Sequence, residues 1–434
     1  MSRTPLPLAG NSTIDVAALR EALSKCGAEV RFDRTSRALY STDASVYQIV
    51  PLGVVLPRSE SDILHVVQTC GQFRVPITAR GGGTSQAGQC IGAGVVLDCS
   101  KHFDRILEIN SSEHWARVQP GCVLDDLNDA VNLHGLHFPV DISTSNRATI
   151  GGMIANNSSG THSLIHGKTI DHVLGLKVAL ADGTVIETRP LDENAWNAKC
   201  EQKNLEGECY RTVRRLATAN AAEIERRFPK ILRRVGGYNL DAFAAFSRDA
   251  ERSALAPKRS ARASRLNEFE LSQLLVGSEG TLAVTIEAKL RLVPLPKAKA
   301  ILVIQFADLL AALAATPAIL RHDPSAVEVI DKYILDSTKL NAEASRLRNF
   351  LTGDPGAILI VEFYGETNSE LPARIDALEA GLRNSNSGTH FFRATDAKQQ
   401  SRVWKLRKLA LGLSMAEKGD SKAISFVEDS AVAP

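Results

Sequence analysis

The stretch Val75–Gln89, VPITARGGGTSQAGQ, constrains this chain more than any other. A short apolar strand signal (Val75, Pro76, Ile77) runs into three consecutive glycines and then into small, hydroxylated residues. Such a run, Gly81–Gly82–Gly83, strips side chains from one face of the backbone and permits positive φ. Successive N–H groups can then converge on an anion as a nest. Thr84 and Ser85 add hydroxyl donors, Arg80 adds a fixed positive charge, and Gly88 allows another close approach. The pattern is that of a cradle for a pyrophosphate, although a glycine run by itself more often marks a flexible surface loop.

Two other phosphate loops are excluded by residue. A P-loop needs a lysine before its hydroxyl residue, and no lysine falls between Arg58 and Lys101. A dinucleotide fingerprint needs a third small residue opening a helix, where this chain has Gln86. The residues after Gln89 (CIGAGVVLDCSKH) read as a loop feeding another strand. A diphosphate here would therefore be held by a loop between strands, not mainly by a helix dipole.

Around this loop the chain alternates helices and strands. Residues 14–29 carry apolar positions at helical spacing, with Ser12 or Thr13 as the cap, and a turn is expected around Ser41–Asp43. PLGVVLP reads as a buried strand and SESDILHVVQTCGQF as a capped amphipathic helix. GVVLDCSKHF and DRILEINSSEHWARVQPG are strand signals, and VLDDLNDAVNLHG is a helix ending at Gly135. GLKVALADGTVIET predicts a hairpin turning at Asp182–Gly183.

Two further blocks are informative. Residues 139–160, PVDISTSNRATIGGMIANNSSG, set paired glycines among asparagines and serines, with Ile150, Met153 and Ile154 between them. Such a backbone suits a large ring system or sugar lying flat against it; the bland alternative is a small-residue loop against a sheet. His162, His166 and His172 follow without metal-ligand spacing, and each reads as a packing or surface histidine. In GSEGTLAV, Glu279 sits in a glycine turn at the mouth of an alternating strand, which is either functional or turn chemistry. Residues 191–268 between these blocks are helical and rich in arginine, more often the mark of a solvated surface than of an acidic partner or lipid headgroups.

A fresh domain begins after PLPKAKA. Its strand–helix–strand units predict a ferredoxin-like or similar antiparallel sheet, followed by the basic helix QQSRVWKLRKLALGLSMAEKG. The last residues, FVEDSAVAP, look like a strand with no capping element, as in a piece of something longer.

A length of 434 residues accommodates two or three cores, and a net charge of +2 gives no argument for nucleic acid. No apolar run is long enough for a bilayer, and the start lacks a signal-peptide core. The seven cysteines form no CxxC pair, which argues against zinc or an iron–sulfur cluster in these residues and for a reduced, cytoplasmic chain.

Taken together, RGGGTSQAGQ at 80–89, ATIGGMIANNSSG at 148–160 and GSEGTLAV at 277–284 resemble the FAD-binding oxidoreductases of the vanillyl-alcohol oxidase/p-cresol methylhydroxylase type. RVGGYNL and WKLR (Trp404–Arg407) make the chain most similar to the D-2-hydroxyacid dehydrogenase branch, which includes glycolate oxidase subunit, D-lactate dehydrogenase and D-2-hydroxyglutarate dehydrogenase. The resemblance covers roughly residues 45–434. It implies an α+β chain: an N-terminal helical segment over 1–44, a two-subdomain FAD-binding domain over 45–297 with the arginine-rich insertion at about 191–268, and an incomplete antiparallel-sheet-plus-helices substrate domain over 298–434.

The resemblance also implies roles. Arg80, Gly81, Gly82, Gly83, Thr84, Ser85, Gly88 and Gln89 would take the FAD diphosphate. Pro139, Gly151, Gly152, Asn156, Ser159 and Gly160 would line the flavin and ribityl side, with Glu279 near the cofactor. Arg407 would grip the substrate carboxylate, and Lys422 is a second candidate for that duty. FAD is expected to be non-covalent, since the 80–89 loop offers no histidine or cysteine, although Cys90 lies just outside it.

The expected reaction is oxidation of a D-2-hydroxy acid, with electrons leaving to a quinone, a flavoprotein or a fused iron–sulfur domain. The expected location is cytoplasmic, with peripheral contact at the inner face of the membrane open. The family's HxGDGNxH motif, which bears metal and base, does not occur here. A divalent metal or an iron–sulfur cluster would thus need residues beyond 434. The rivals are a FAD-binding fragment inactive by itself and a flavin oxidase of another substrate class, such as the ether-lipid synthases.

Overall fold

The computed structural model describes residues 14–244, 269–415 and 430–433. Three sheets organise it. The first has strands Glu29–Arg31, Gly53–Leu56, Val95–Asp98 and Ile77–Arg80 in that spatial order. Its first pair is antiparallel and the other two pairs are parallel. Parallel strands require a crossover, supplied by helix Glu60–Phe73. Ser59 caps that helix by accepting from the Asp62 N–H, and Asp62 answers by accepting from the Ser59 N–H. Ile63, Val66 and Cys70 on one helix face bury against Val55, Val95 and Leu97. The glycine loop leaves the carboxyl end of the edge strand Ile77–Arg80, the side of a parallel sheet on which ligands bind.

At the N-terminus, Asp15 caps helix Val16–Leu23; the expected caps Ser12 and Thr13 lie outside the described residues. The helix stops at Leu23, short of residue 29, and residues 29–31 become the edge strand of the first sheet.

The second sheet is antiparallel: Ile106–Asn110, Trp115–Val118, Val284–Arg291, Val173–Ala179 and Val185–Glu187. Its hairpin turns at Gly183, where φ is +85°. The central strand, Val284–Arg291, arrives after the arginine-rich region, so that region is spliced between two strands of one sheet. Helices Glu193–Glu201, Leu205–Ala219 and Ala221–Arg227 belong to it. Trp196, fully buried against Tyr210, Phe243 and Phe269, ties it to the main core. The basic residues 245–265 fall among residues outside the description.

The third sheet has strands Ala326–Asp331, Ala357–Gly365, Ala298–Phe306 and His390–Ala394, all antiparallel. Two interlocked strand–helix–strand units give the ferredoxin-like order expected from the sequence. Side chains alternate across each strand. Leu302, Ile304, Leu359 and Val361 therefore face helices Leu309–Leu320 and Leu371–Asn384, while Ile301, Val303, Ile358 and Ile360 face helix Ala397–Met415. Both faces of the two central strands, Ala298–Phe306 and Ala357–Gly365, are covered, which is why they read as long, mostly apolar runs.

One segment differs from the flat small-residue backbone expected over 139–160. Residues Ile150–Asn156 form a helix capped by Thr149 and closed by Asn157 in the left-handed region. Ile150, Met153 and Ile154 are spaced i, i+3, i+4 and bury one face. That packing outweighs the low helix propensity of Gly151 and Gly152.

Candidate functional site

Two adjoining clefts, of about 850 and 1040 Å3, meet at the glycine loop. Both are bordered by Gly81, Ser85, Gln89, Thr149, Gly152 and Asn156. The first continues past Gly151, Val178, Leu275, Ala283 and Glu279; among its lining residues Arg80 also appears. The second continues past Gly82, Gly83, Thr84, Asp141, Ser159 and Gly160 to Arg233, Glu328 and Arg407. The three sequence blocks and Arg407 thus converge on one continuous groove between the first two sheets and the third.

The loop's geometry follows from its neighbours. A Cβ on Gly81 would lie 2.0 Å from the Thr149 Oγ1, and one on Gly82 would lie 2.1 Å from the Arg147 carbonyl oxygen. These two glycines are needed so that the loop can lie against the segment leading into helix Ile150–Asn156. Gly83 turns the chain with φ +64°. Among the described residues, no backbone N–H from Gly81 to Gln89 donates a hydrogen bond. A run of unpaired amides beside a cleft is an anion site in waiting. The Gln89 Oε1 is likewise buried without a partner, in a side chain that borders both clefts.

Arg80 has a supporting placement. Its guanidinium donates to the Cys90 and Thr42 carbonyls at 3.1 and 2.9 Å and lies over the Tyr40 ring, closing the base of the loop. Gly88 and Pro139 are not among the residues lining either cleft. Gly88 has φ +87° and packs on Tyr47; Pro139 is buried just before Asp141. Glu279 has φ +53° in an exposed turn, its N–H donating to the Ala155 carbonyl. Lys422 lies outside the described residues.

The far end of the groove is built from the third sheet. Glu328 and Glu362 sit on neighbouring strands, and their registers place them on one face, the face covered by helix Ala397–Met415. On that helix Trp404 and Arg407 are three residues apart and share a side. The Trp404 Nε1–H donates to the Glu362 Oε1 at 3.0 Å; the Arg407 Nε–H donates to the Glu328 Oε2 at 2.9 Å, and the Nη2 lies within ion-pair distance of the same oxygen, also at 2.9 Å. The spacing W-x-x-R is thereby matched to two glutamates.

His162 departs from the packing role expected of it. Its Nδ1 lies 2.7 Å from the Asp141 Oδ2 and its Nε2 lies 2.5 Å from the Glu362 Oε2, with the ring stacked on Tyr364 at 5.1 Å. Burial opposes charge on this ring, but hydrogen bonds to Asp141 and Glu362 outweigh it and hold the imidazolium up to about 10. His166 and His172 pack as expected, edge-to-face with each other and with His137 and Phe138. Burial drives the His137 imidazole down to about 4 and that of His166 to about 3. Among the described residues no group of histidine, cysteine and carboxylate side chains is placed to hold a metal ion, and no helix is long and apolar enough to cross a membrane.

Sequence reasoning missed Asp141, His162, Glu328 and Glu362. One signal was present: Glu362 is a lone carboxylate inside AILIVEFYG, and such a residue is rarely buried unless paired.

Comparison with known proteins bears on the family and the fold. Residues 51–189 match a FAD binding domain, and residues 295–434 match the C-terminal domain of FAD linked oxidases. D-2-hydroxyglutarate dehydrogenase of Pseudomonas putida is 35% identical over 425 residues, covering 95% of this chain and 40% of that protein. The Escherichia coli protein of the same name is 33% identical, covering 92% and 38%. Glycolate oxidase subunit GlcD of Bacillus subtilis is 28% identical, covering 88% and 68%. The chain spans about 40% of the length of the D-2-hydroxyglutarate dehydrogenases it matches. A solved alkyldihydroxyacetonephosphate synthase shares the fold, with a TM-score of 0.60 at 16% identity over 95% of this chain and 68% of that one. The chain belongs to the FAD-linked oxidases of the vanillyl-alcohol oxidase/p-cresol methylhydroxylase type.

Proposed function

We propose that the chain holds FAD across the two clefts and takes part in oxidising a D-2-hydroxy acid to the 2-keto acid. The observation that carries this reading is the groove itself, with unpaired loop amides at its middle and a guanidinium at one end. FAD is a two-ended molecule joined by a diphosphate, and the loop borders both clefts. The less polar cleft, with Val178, Leu275, Ala283 and the Glu279 carboxylate, suits adenosine. The cleft leading to Arg407 suits the flavin and the substrate.

When bound, FAD supplies the acceptor for a hydride from the substrate's α-carbon. The chain's own part is to bind and orient. Amides of residues 81–86, with Thr84 and Ser85, cradle the diphosphate, and Ser159, Gly160 and Asn156 line the flavin side. Arg407, held by Glu328 through Nε and Nη2, keeps Nη1 for the substrate carboxylate. Lys422 remains a second candidate for that contact. No residue here is assigned the hydroxyl proton, because the family's histidine motif is absent from these residues. The electron acceptor is a quinone, a flavoprotein or an iron–sulfur domain in the same polypeptide.

Reconstitution with FAD and anaerobic addition of D-2-hydroxyglutarate, D-lactate or glycolate tests the reading. Bleaching of the visible flavin band by one of them supports it. Binding of the 2-keto product without bleaching would support the site while assigning the base to residues outside this chain. A protein that takes up no flavin would end the proposal.

A further inference from the structure

The chain Asp141–His162–Glu362–Trp404 is not used by cofactor binding or by the substrate carboxylate. It joins two parts of the molecule that share no strand. Asp141 and His162 come from loops around the cleft, whereas Glu362 and Tyr364 lie in the third sheet and Trp404 on its covering helix. A neutral imidazole has one N–H and one lone pair. With a carboxylate oxygen at each ring nitrogen, that lone pair would face a negative charge on one side. Only the doubly protonated ring donates to both.

Glu362 needs this partner. Its side chain is 1% exposed, and its other contacts are neutral: the Trp404 Nε1–H at 3.0 Å and the Ser325 hydroxyl at 3.3 Å. Asp141, by contrast, is 41% exposed and lines the cleft. The imidazolium therefore ties a buried carboxylate in one half to a cleft-lining carboxylate in the other.

We propose that His162, as an imidazolium, is a positioning residue that clamps the Arg407 helix to the cofactor-binding loops, through Asp141 on one side and the Glu362–Trp404 pair on the other. The inference rests on reading Arg407 as the carboxylate anchor. The lever is short, since Trp404 and Arg407 lie about one turn apart on the same helix and each is fixed by a glutamate of the same sheet face. A shift of that helix by about 1 Å would misplace the guanidinium enough to cost on the order of a hundredfold in a bound-geometry-dependent step. The titratable groups around the ring are Asp141 from the loop after Pro139, Glu362 and Tyr364 from the central strand, and the neutral, half-buried His137 and His166.

The test uses the flavin-loaded protein with His162→Gln, His162→Arg, Glu362→Gln and the His162→Gln/Glu362→Gln double variant. Binding of 2-oxoglutarate is read from the perturbed flavin spectrum, with flavin content measured alongside. Expected are full flavin content throughout, about tenfold weaker 2-oxoglutarate binding in either glutamine variant, and a double variant no worse than the weaker single, as in one coupled pathway. Arginine at 162 restores part of the affinity, because it keeps the charge. Wild-type binding weakens as pH rises towards 10, while the His162→Gln profile lacks that step. Unchanged binding in His162→Gln, or additive losses in the double variant, would overturn the clamp.

If the wild type binds no 2-keto acid, the functional reading fails and the clamp is judged by thermal melts. One transition in the wild type that splits into two in His162→Gln sustains the clamp. A single, unshifted melt in the variant overturns it.

Discussion

The two ends of the groove are built from different materials. At the glycine loop the binding elements are backbone N–H groups, and the side chains that matter are those that are missing. At the Arg407 end the arrangement rests on charged side chains paired with one another: Arg407 with Glu328, and His162 with Asp141 and Glu362. A backbone cradle is fixed by packing and has little to reorganise. Paired charges hold geometry only while their partners stay charged, so that end is sensitive to pH and to single substitutions. The first end suits a permanent guest, and the second suits a ligand that comes and goes.

The strongest way to break this contrast is at the loop. Gly82→Val puts a side chain where the Arg147 carbonyl oxygen stands 2.1 Å from the Cβ position. Displacing the loop should cost about 3 kcal/mol or more, on the order of a hundredfold in FAD affinity, measured by titrating apoprotein with the flavin. An undiminished affinity would move the cofactor away from this loop.

At the other end, Arg407→Met should leave flavin content intact and weaken 2-oxoglutarate binding by about 2 to 3 kcal/mol, the worth of a charge-assisted contact. Equal loss of flavin and ligand would erase the division of labour between the two ends.

The histidines sharpen the contrast within four residues of chain. The folded-state value of His162 is raised to about 10 against an ordinary 6.5, so its stabilisation is complete below about pH 6.5 and is lost as pH rises through about 10. His137 and His166 are depressed to about 4 and 3, so the unfolded chain binds protons first and stability falls as pH drops below about 6.5. Melting temperature should therefore decline on both sides of neutrality. His162→Gln should lower stability by about 3 kcal/mol near pH 6.5, with a correspondingly lower melting temperature, and flatten the alkaline limb. His166→Leu should soften the acid limb alone. Identical limbs in wild type and variants would remove the distinction.

The smallest effect is expected at Arg80. Arg80→Met removes two hydrogen bonds to carbonyls at the base of the loop and should weaken FAD binding by about 1 kcal/mol, roughly fivefold. A far larger loss would mean that the guanidinium touches the diphosphate itself.

The sequence made the loop legible because its determinants are local: Gly81 to Ser85 carry their own conformational signature. The third sheet was equally open to reading, since two covered faces make its central strands long and mostly apolar. The helix Ile150–Asn156 was obscured by Gly151, Gly152 and Asn156, although the spacing of Ile150, Met153 and Ile154 carried it. His162 could not have been read, because its partner Glu362 is 200 residues away and only the fold brings them together. Arg407 stood out by resemblance to a family, yet its partner Glu328 is visible only from strand register.

On the proposed reading, one groove holds FAD at the loop and a hydroxy acid at Arg407. Anaerobic mixing of the FAD-loaded protein with D-2-hydroxyglutarate, D-lactate or glycolate, followed by visible absorbance, tests it most directly. Bleaching of the flavin by a D-2-hydroxy acid is expected, with the concentration required rising on the order of a hundredfold in Arg407→Met. A flavin-loaded protein whose spectrum responds to none of these acids or their 2-keto products would contradict it.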